Sequence, residues 1–109
     1  MANTFKNKVF NGESSLANSD MAVYTVPSST TTVVIGLTLA NTGSTQILAD
    51  VKLNAGDMVF LAKDIPIPVG SSFEYMAGNK IVMETGHSLI VQSSVANSLD
   101  TVASIMEIT

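Results

Sequence analysis

The stretch TTVVIGLTLAN, residues 31–41, decides the fold class because large apolar side chains alternate with smaller ones along most of its length. A period of two is typical of a β-strand, in which successive side chains point to opposite faces of the sheet. β-branched residues, which favour strands, make up much of the stretch. We therefore predict a strand whose core face carries Val33, Ile35, Leu37 and Leu39, and whose other face carries Thr32, Val34, Gly36, Thr38 and Ala40.

The same period recurs in four further segments, QILADVKL (46–53), KIVME (80–84), SLIVQSS (88–94) and DTVASIMEI (100–108). Each predicts a strand with one buried face. The segment from 93 to 106 has only a weak helical stripe, so we expect a loop followed by a strand there. The side chains expected to face the core are Val51, Leu53, Ile81, Leu89 and Val91, and the last segment offers Val102, Met106 and Ile108 as the apolar residues of one face.

Glycine-containing turns separate these segments at short and regular spacing. They are NTGS (41–44), NAGD (54–57), VGSS (69–72), AGN (77–79) and TGH (85–87). Glycine supplies the positive φ that tight hairpin turns require. Short strands with turns every 8–12 residues are typical of all-β folds. We therefore predict a single antiparallel β-sandwich or jelly-roll-like domain of about seven or eight strands.

Two segments depart from this pattern. Prolines at alternate positions in IPIPV (65–69) cannot donate ladder hydrogen bonds, which predicts a sheet edge or a connector between sheets. Residues 1–20 are mostly polar and carry the scattered apolar side chains Phe5, Val9, Phe10 and Leu16. We interpret residues 1–20 as an extended arm with at most one short strand, and residues 21–109 as the β-sandwich domain.

The charge content excludes several classes of function. Charged residues make up 13% of the chain, against roughly 25% in a typical soluble domain. Five scattered lysines face nine acidic residues, and the net charge is −4. Binding to nucleic acid or to an anionic membrane relies on clustered positive charge, so we expect neither partner. The polar start of the chain lacks the apolar core of a signal peptide, which predicts synthesis in a host cytoplasm without one.

Residues that could perform chemistry are few and scattered. His87, the single histidine, follows a glycine in a turn, and the chain has no cysteine. Asp50, Asp57 and Asp64 recur every seven residues but do not form a calcium loop pattern. Glu74 and Glu84 flank one hairpin without the aromatic groove that a glycosidase requires. We therefore expect a protein that is not an enzyme and that binds no metal and no cofactor.

Two long stretches, MAVYTVPSSTTTVVIGLTLANTGS (21–44) and LAKDIPIPVGSSFEYMAGNKIVMETGHSLIVQSSVANSLDTVASIMEI (61–108), resemble small virion structural proteins of tailed bacteriophages. The similarity lies in the order of strands and turns and covers roughly residues 21–108. It implies a small β-sandwich that assembles on the virion as a head decoration, neck or tail component. It implies no catalytic residue.

The resemblance implies two kinds of partner, namely further copies of the chain, for instance in a trimer, and other virion proteins. The residues expected to make these contacts are Phe5, Val9, Phe10, Leu16, Phe73 and Tyr75. The alternative is a β-sandwich that binds carbohydrate or a receptor on a fibre or adhesin. An exposed aromatic platform would favour that function, and Phe73, Tyr75 and Tyr24 are the candidates for it.

Overall fold

The computed structural model describes residues 2–12, 17–75 and 80–109, and within them nine strands form two antiparallel sheets. This confirms the predicted all-β sandwich, with slightly more strands than expected. The strands are β1 (Asn3–Phe10), β2 (Met21–Thr25), β3 (Thr31–Asn41), β4 (Ile47–Asn54), β5 (Met58–Ile67), β6 (Ser72–Glu74), β7 (Ile81–Met83), β8 (Ser88–Ser93) and β9 (Leu99–Ile108).

The two sheets interleave segments that are distant in the sequence. The five-stranded sheet has the order β1-β9-β3-β6, and β7 also pairs with β3. β6 and β7 lie one after the other along the same edge of β3 and are separated by residues 75–80. The four-stranded sheet has the order β2-β8-β4-β5. The first sheet therefore ends in β1 on one side and in β6 and β7 on the other.

A β-bulge at Ile35 changes which residues of β3 face the core. Val34 pairs with Ile105 and Gly36 pairs with Ser104, which leaves Ile35 as an extra residue. Before the bulge the even-numbered residue Val34 is buried, and after it the odd-numbered residues are buried. The prediction was right for Leu37 and Leu39 and wrong for Val33 and Ile35, because an extra residue inverts the alternation on one side of it.

The apolar residues Val102, Met106 and Ile108, named from the sequence of the last strand, share the outer face of β9. Val102 is exposed, whereas the odd-numbered residues Ala103 and Ile105 are fully buried. Met106 and Ile108 are half-buried on the same outer face as Val102. The apolar residues of this strand occupy both faces, so their periodicity alone did not distinguish the core face from the outer one.

The core lies between the two sheets and begins at Met21. The predicted core residues Val51, Leu89 and Val91 are fully buried, and Leu53 and Ile81 pack against them half-buried. The largest fully buried side chains are Leu37, Leu39, Ile47, Ile67, Met83, Leu89, Leu99 and Ile105. The loop and strand predicted for residues 93–106 are also confirmed, because a turn precedes β9.

Three of the predicted turns contain glycines with positive φ, namely Gly56, Gly70 and Gly86. The AGN turn (77–79) lies outside the described residues. The prolines of the IPIPV segment lie in or next to β5, the edge strand of the four-stranded sheet, which confirms the edge prediction. Two irregularities interrupt this edge, and at one of them the backbone N–H of Asp64 donates to Asp50 Oδ1 at 2.7 Å.

Residues 3–10 form a longer strand than the one short strand expected in the arm. β1 pairs with β9 over its whole length, from Asn3 opposite Ile108 to Phe10 opposite Thr101. The chain then passes so close to β9 that a Cβ on Gly12 would lie 1.9 Å from the carbonyl oxygen of Leu99. The Gly12 N–H donates to Asp100 Oδ1 at 2.8 Å. The division into arm and domain stays a prediction.

Candidate assembly surface

An apolar row crosses the outer face of the five-stranded sheet from one edge to the other. Phe5 of β1 lies opposite Met106 of β9, Met106 lies opposite Val33 of β3, and Val33 lies opposite Val82 of β7. Residues directly opposite each other project from the same face of a sheet. The two ends of the row are the most exposed, with Phe5 71% and Val82 62% accessible. Apolar side chains in a continuous row on an outer face are typical of an interaction surface.

Further exposed apolar side chains extend this surface. Val9 of β1 lies opposite Val102 of β9, four residues along each strand from the first row and on the same face. The bulge at Ile35 turns that side chain outward as well. Between the rows, Phe5 and Ile35 border a shallow depression of about 320 Å³ that is also lined by Asn7 and Ser104. We refer to Phe5, Val9, Val33, Ile35, Val82, Val102 and Met106 as the outer face.

A buried polar cluster fixes β1 to the sandwich on the opposite side of the same sheet. Glu107 of β9 is buried, and its carboxylate accepts the Lys6 ammonium at 2.7 Å and the Tyr24 hydroxyl at 2.5 Å. The same hydroxyl lies 2.8 Å from Thr32 Oγ1. These contacts join β1, β2, β3 and β9, so the outer face keeps its position relative to the core.

Electrostatics at this cluster favour an ionised Glu107 and a neutral Tyr24. The hydrogen bond from Lys6, followed by that from Tyr24, lowers the pKa of Glu107 below its ordinary value despite its burial. Burial, followed by the hydrogen bond with Glu107, raises the pKa of Tyr24 to about 12. A carboxylate that is charged, paired and screened from water has a structural role here, because both of its oxygens are engaged by the protein itself.

The apolar residues predicted for the N-terminal segment occupy both faces of β1. Phe5 and Val9 belong to the outer face. Phe10 projects to the inner side, where it packs half-buried against the core. Leu16 lies outside the described residues. Lys8, also on the inner side, lies with its Nζ 6.0 Å from the centre of the Tyr24 ring.

Phe73 and Tyr75 lie at the opposite end of the same sheet. Phe73 of β6 pairs with Leu39 and remains 38% exposed. Tyr75 follows β6, packs half-buried against the core, and donates its hydroxyl to the Leu61 carbonyl at 2.7 Å. Sequence reasoning therefore identified residues on both edges of one sheet. It missed the outer face itself, whose apolar row joins Phe5 on one edge to Val82 on the other.

The aromatic platform expected for a carbohydrate site lacks one of its three members. A bulge at Val23 turns Tyr24 inward, where the side chain is buried against Glu107. Phe60, on the other sheet, is half exposed and lies between two lysines, with Lys52 Nζ at 5.0 Å and Lys63 Nζ at 4.9 Å from its ring centre. Lys52 also forms a salt bridge with Asp20 at 2.7 Å, so charged side chains flank the exposed Phe60 ring.

The residues considered for chemistry have structural partners. The Glu84 N–H donates to His87 Nδ1 at 3.1 Å within a turn. The Glu74 carboxylate accepts the Leu37 N–H at 2.8 Å and the Thr38 hydroxyl at 2.6 Å. Within residues 2–12, 17–75 and 80–109, no three acidic or histidine side chains converge in a metal-binding arrangement. The same ranges contain no helix that could cross a membrane.

Comparison with known proteins gives similarity at the level of the fold. No protein-family model matches the sequence, and no curated protein matches it significantly. The structure is similar to a chain from Bacillus endospore appendages, described as disulfide-linked pili, with a TM-score of 0.56 and 11% identity over 99% of this chain and 87% of that one. It is also similar to a chain of infectious bursal disease virus, Gx strain, with a TM-score of 0.55 and 10% identity.

The match to the bursal disease virus chain covers 95% of this chain and 33% of the other, so this protein spans a third of that chain's length. A pentameric capsid protein from metagenomic phage sequences matches with a TM-score of 0.42 and 19% identity, over 92% of this chain and 59% of that one. At their identities, the first two similarities indicate a shared β-sandwich fold.

Proposed function

We propose that this protein is a structural, non-enzymatic component of a tailed-bacteriophage particle, where it associates with itself and docks onto other virion proteins as a decoration, neck or tail-associated subunit. The observation that carries the proposal is the apolar row that crosses the outer face from Phe5 to Val82. A contiguous apolar surface favours a protein partner, because burying apolar area stabilises a complex by roughly 25 cal/mol per Å².

Two further observations support this function. The fold is shared with a chain of a virus and with a chain of a pilus, and both belong to protein assemblies. The low content of charged residues keeps the cost of covering the surface small, because a hydroxyl or amide loses less on desolvation than an ion does. A carbohydrate-binding role is less well supported, since Tyr24 is buried.

Light scattering on the purified protein tests self-association. We expect a mass at least twice the 11.4 kDa of a single chain. Val82→Asp places a charge at the exposed end of the apolar row and should lower that mass. Leu48→Asp is the matched control, because Leu48 is 40% exposed on the outer face of the other sheet. Equal effects of the two substitutions would contradict a specific role for the outer face.

Mass spectrometry of purified particles tests the location. We expect the protein in phage particles produced from the genome that encodes it, in a stoichiometric ratio to the other virion proteins. The Val82→Asp variant should be depleted from those particles relative to Leu48→Asp. Absence of the wild-type protein from the particles would overturn the virion role even if the protein forms oligomers in solution.

A further inference from the structure

Among the described residues, β1 and the β6–β7 pair are the two edges of the five-stranded sheet, and their strand directions match. β1 is antiparallel to β9, and β9 is antiparallel to β3, so β1 runs in the same direction as β3. β6 and β7 are both antiparallel to β3. A β1 strand from a second copy in the same orientation would therefore run antiparallel to β6 and β7. Such an addition continues the antiparallel pattern of the whole sheet.

The side chains at the two edges also match if each row of opposite residues in one copy continues directly into the same row of the next copy. The row that begins at Phe5 ends at Val82, so Phe5 of one copy would lie beside Val82 of the next. The row that begins at Phe10 runs through Thr101 and Leu39 to Phe73. Phe10 and Phe73 would therefore meet as an aromatic pair, which is among the more stabilising cross-strand contacts.

Charge distinguishes this head-to-tail arrangement from a symmetric one. The charged residues of β1 are Lys6 and Lys8, whereas the acids Glu74 and Glu84 outnumber Lys80 along the opposite edge. Two β1 strands side by side would bring lysines together, and two β6–β7 edges would bring glutamates together. Like charges on neighbouring strands are destabilising, so both symmetric arrangements are disfavoured, and the head-to-tail arrangement avoids them.

We propose that a second copy of this chain pairs its β1 with the β6–β7 edge, so that the five-stranded sheets of successive subunits join head to tail. This inference rests on the proposed self-association and specifies its interface. A head-to-tail contact uses a different surface on each partner, and repeated copies form a closed ring or a helical filament. It also gives the most exposed residues of the apolar row, Phe5 and Val82, a neighbour on their open side.

Disulfide trapping between two variants tests this interface, because the natural chain contains no cysteine. Phe5→Cys and Val82→Cys each change an exposed residue, and Leu48→Cys on the other sheet is the matched control. Equal amounts of two variants are mixed, oxidised and separated without reducing agent. We expect the mixture of Phe5→Cys and Val82→Cys to give at least about tenfold more cross-linked dimer than any other pairing, because assembled neighbours hold their thiols at millimolar effective concentration.

The other outcomes overturn the head-to-tail contact in distinguishable ways. Cross-linking of Phe5→Cys with itself at the same yield would show a symmetric β1–β1 contact. Preferential cross-linking to Leu48→Cys, or no preferred pair in samples that light scattering shows to be oligomeric, would place self-association on another surface. The proposed function would survive both results. A monomeric mass for the wild-type protein at every concentration would overturn both the contact and the proposed self-association.

Discussion

Because the core face of β3 inverts at Ile35, we predict a large loss of stability at Leu37 and a small one at Ile35, which strict alternation would place on the same face. Leu37 is fully buried, so Leu37→Ala should destabilise the protein by about 2–5 kcal/mol through lost burial and a cavity. Ile35 projects outward, so Ile35→Ala should change the free energy of unfolding by about 0.5 kcal/mol or less. Urea denaturation of both variants measures the difference. Similar losses for the two would mean that the bulge is absent in solution.

Asn41 makes a second residue-scale prediction because its buried amide connects the two sheets. Its Nδ2 donates to the carbonyls of Thr45 at 2.8 Å and Ile67 at 2.9 Å, and its Oδ1 accepts the Gly43 N–H at 2.9 Å. Asn41→Ala leaves these groups unsatisfied and should cost about 2–3 kcal/mol.

Asn41→Asp is the matched variant for this position, because it keeps the acceptor for Gly43 and removes the donor. A carboxylate beside the carbonyls of Thr45 and Ile67 should destabilise the protein at neutral pH at least as much as alanine does. Thermal melts of the two variants measure this. If Asn41→Asp has the same melting temperature as the wild type, donation to the two carbonyls contributes nothing to stability.

At the scale of strands, the Lys6–Glu107 pair predicts a dependence of β1 attachment on acid. The pKa of Glu107 lies below its ordinary value in the folded protein, so its contribution to stability is full above the unfolded pKa, near 4.3, and is lost as the pH falls through the folded one. Glu107→Gln should be less stable than the wild type at pH 7, and this difference should shrink at acid pH. Chemical denaturation between pH 2 and 7 measures it.

Asp57→Asn provides the control for that experiment, because Asp57 lies exposed in the turn between β4 and β5 of the other sheet. Its difference from the wild type should stay small at every pH. A difference for Glu107→Gln that does not change between pH 7 and pH 2 would contradict an ionised and stabilising Glu107.

Tyr24 makes the corresponding prediction at alkaline pH. Its pKa is raised from 10.0 to about 12, so the folded protein favours the neutral phenol. The resulting stability is full below pH 10 and is lost as the pH rises from 10 towards 12. Tyr24→Phe lacks this group, so its stability relative to the wild type should increase over that range. A constant difference across the range would mean that the phenol is as accessible in the folded chain as in the unfolded one.

These strands also show what the sequence could and could not predict. Alternation and turn chemistry are local, so the strands around Val51 and Leu89 and the turns at Gly56 and Gly86 were predicted correctly. The bulges at Val23 and Ile35 depend on the strand paired opposite, which local periodicity does not encode.

At the scale of the whole molecule, the candidate residues were predicted individually but not as one surface. Phe5 and Val9 were identified because they are apolar residues in a mostly polar segment. Their relation to Val82 depends on β9 and β3 lying between them, and the order of strands in a sheet is a property of the complete fold. Val33 in that row was predicted to face the core, because the bulge that inverts the alternation of β3 is not visible in the sequence.

Deletion of residues 1–18 tests the role of the N-terminal segment in the whole particle. The continuous core begins at Met21, so the shortened chain should keep its β-sheet circular dichroism although it loses the β1 ladder and the Lys6–Glu107 pair. We expect its oligomeric mass and its retention on particles to fall, because Phe5 and Val9 leave the outer face. Unchanged light scattering and particle retention after the deletion would show that this segment does not join subunits.

β3 should tolerate the deletion of one residue at Ile35, because Ile35 has no partner position on β9. Without Ile35, Val34 and Leu37 fall into one unbroken alternation, so an in-frame deletion straightens the strand and keeps both side chains inside. The same deletion within β9, which pairs with β1 without any irregularity, would turn Ala103 or Ile105 outward. Among homologous sequences, we expect single-residue deletions to occur at the position of Ile35 and to be rare within β9.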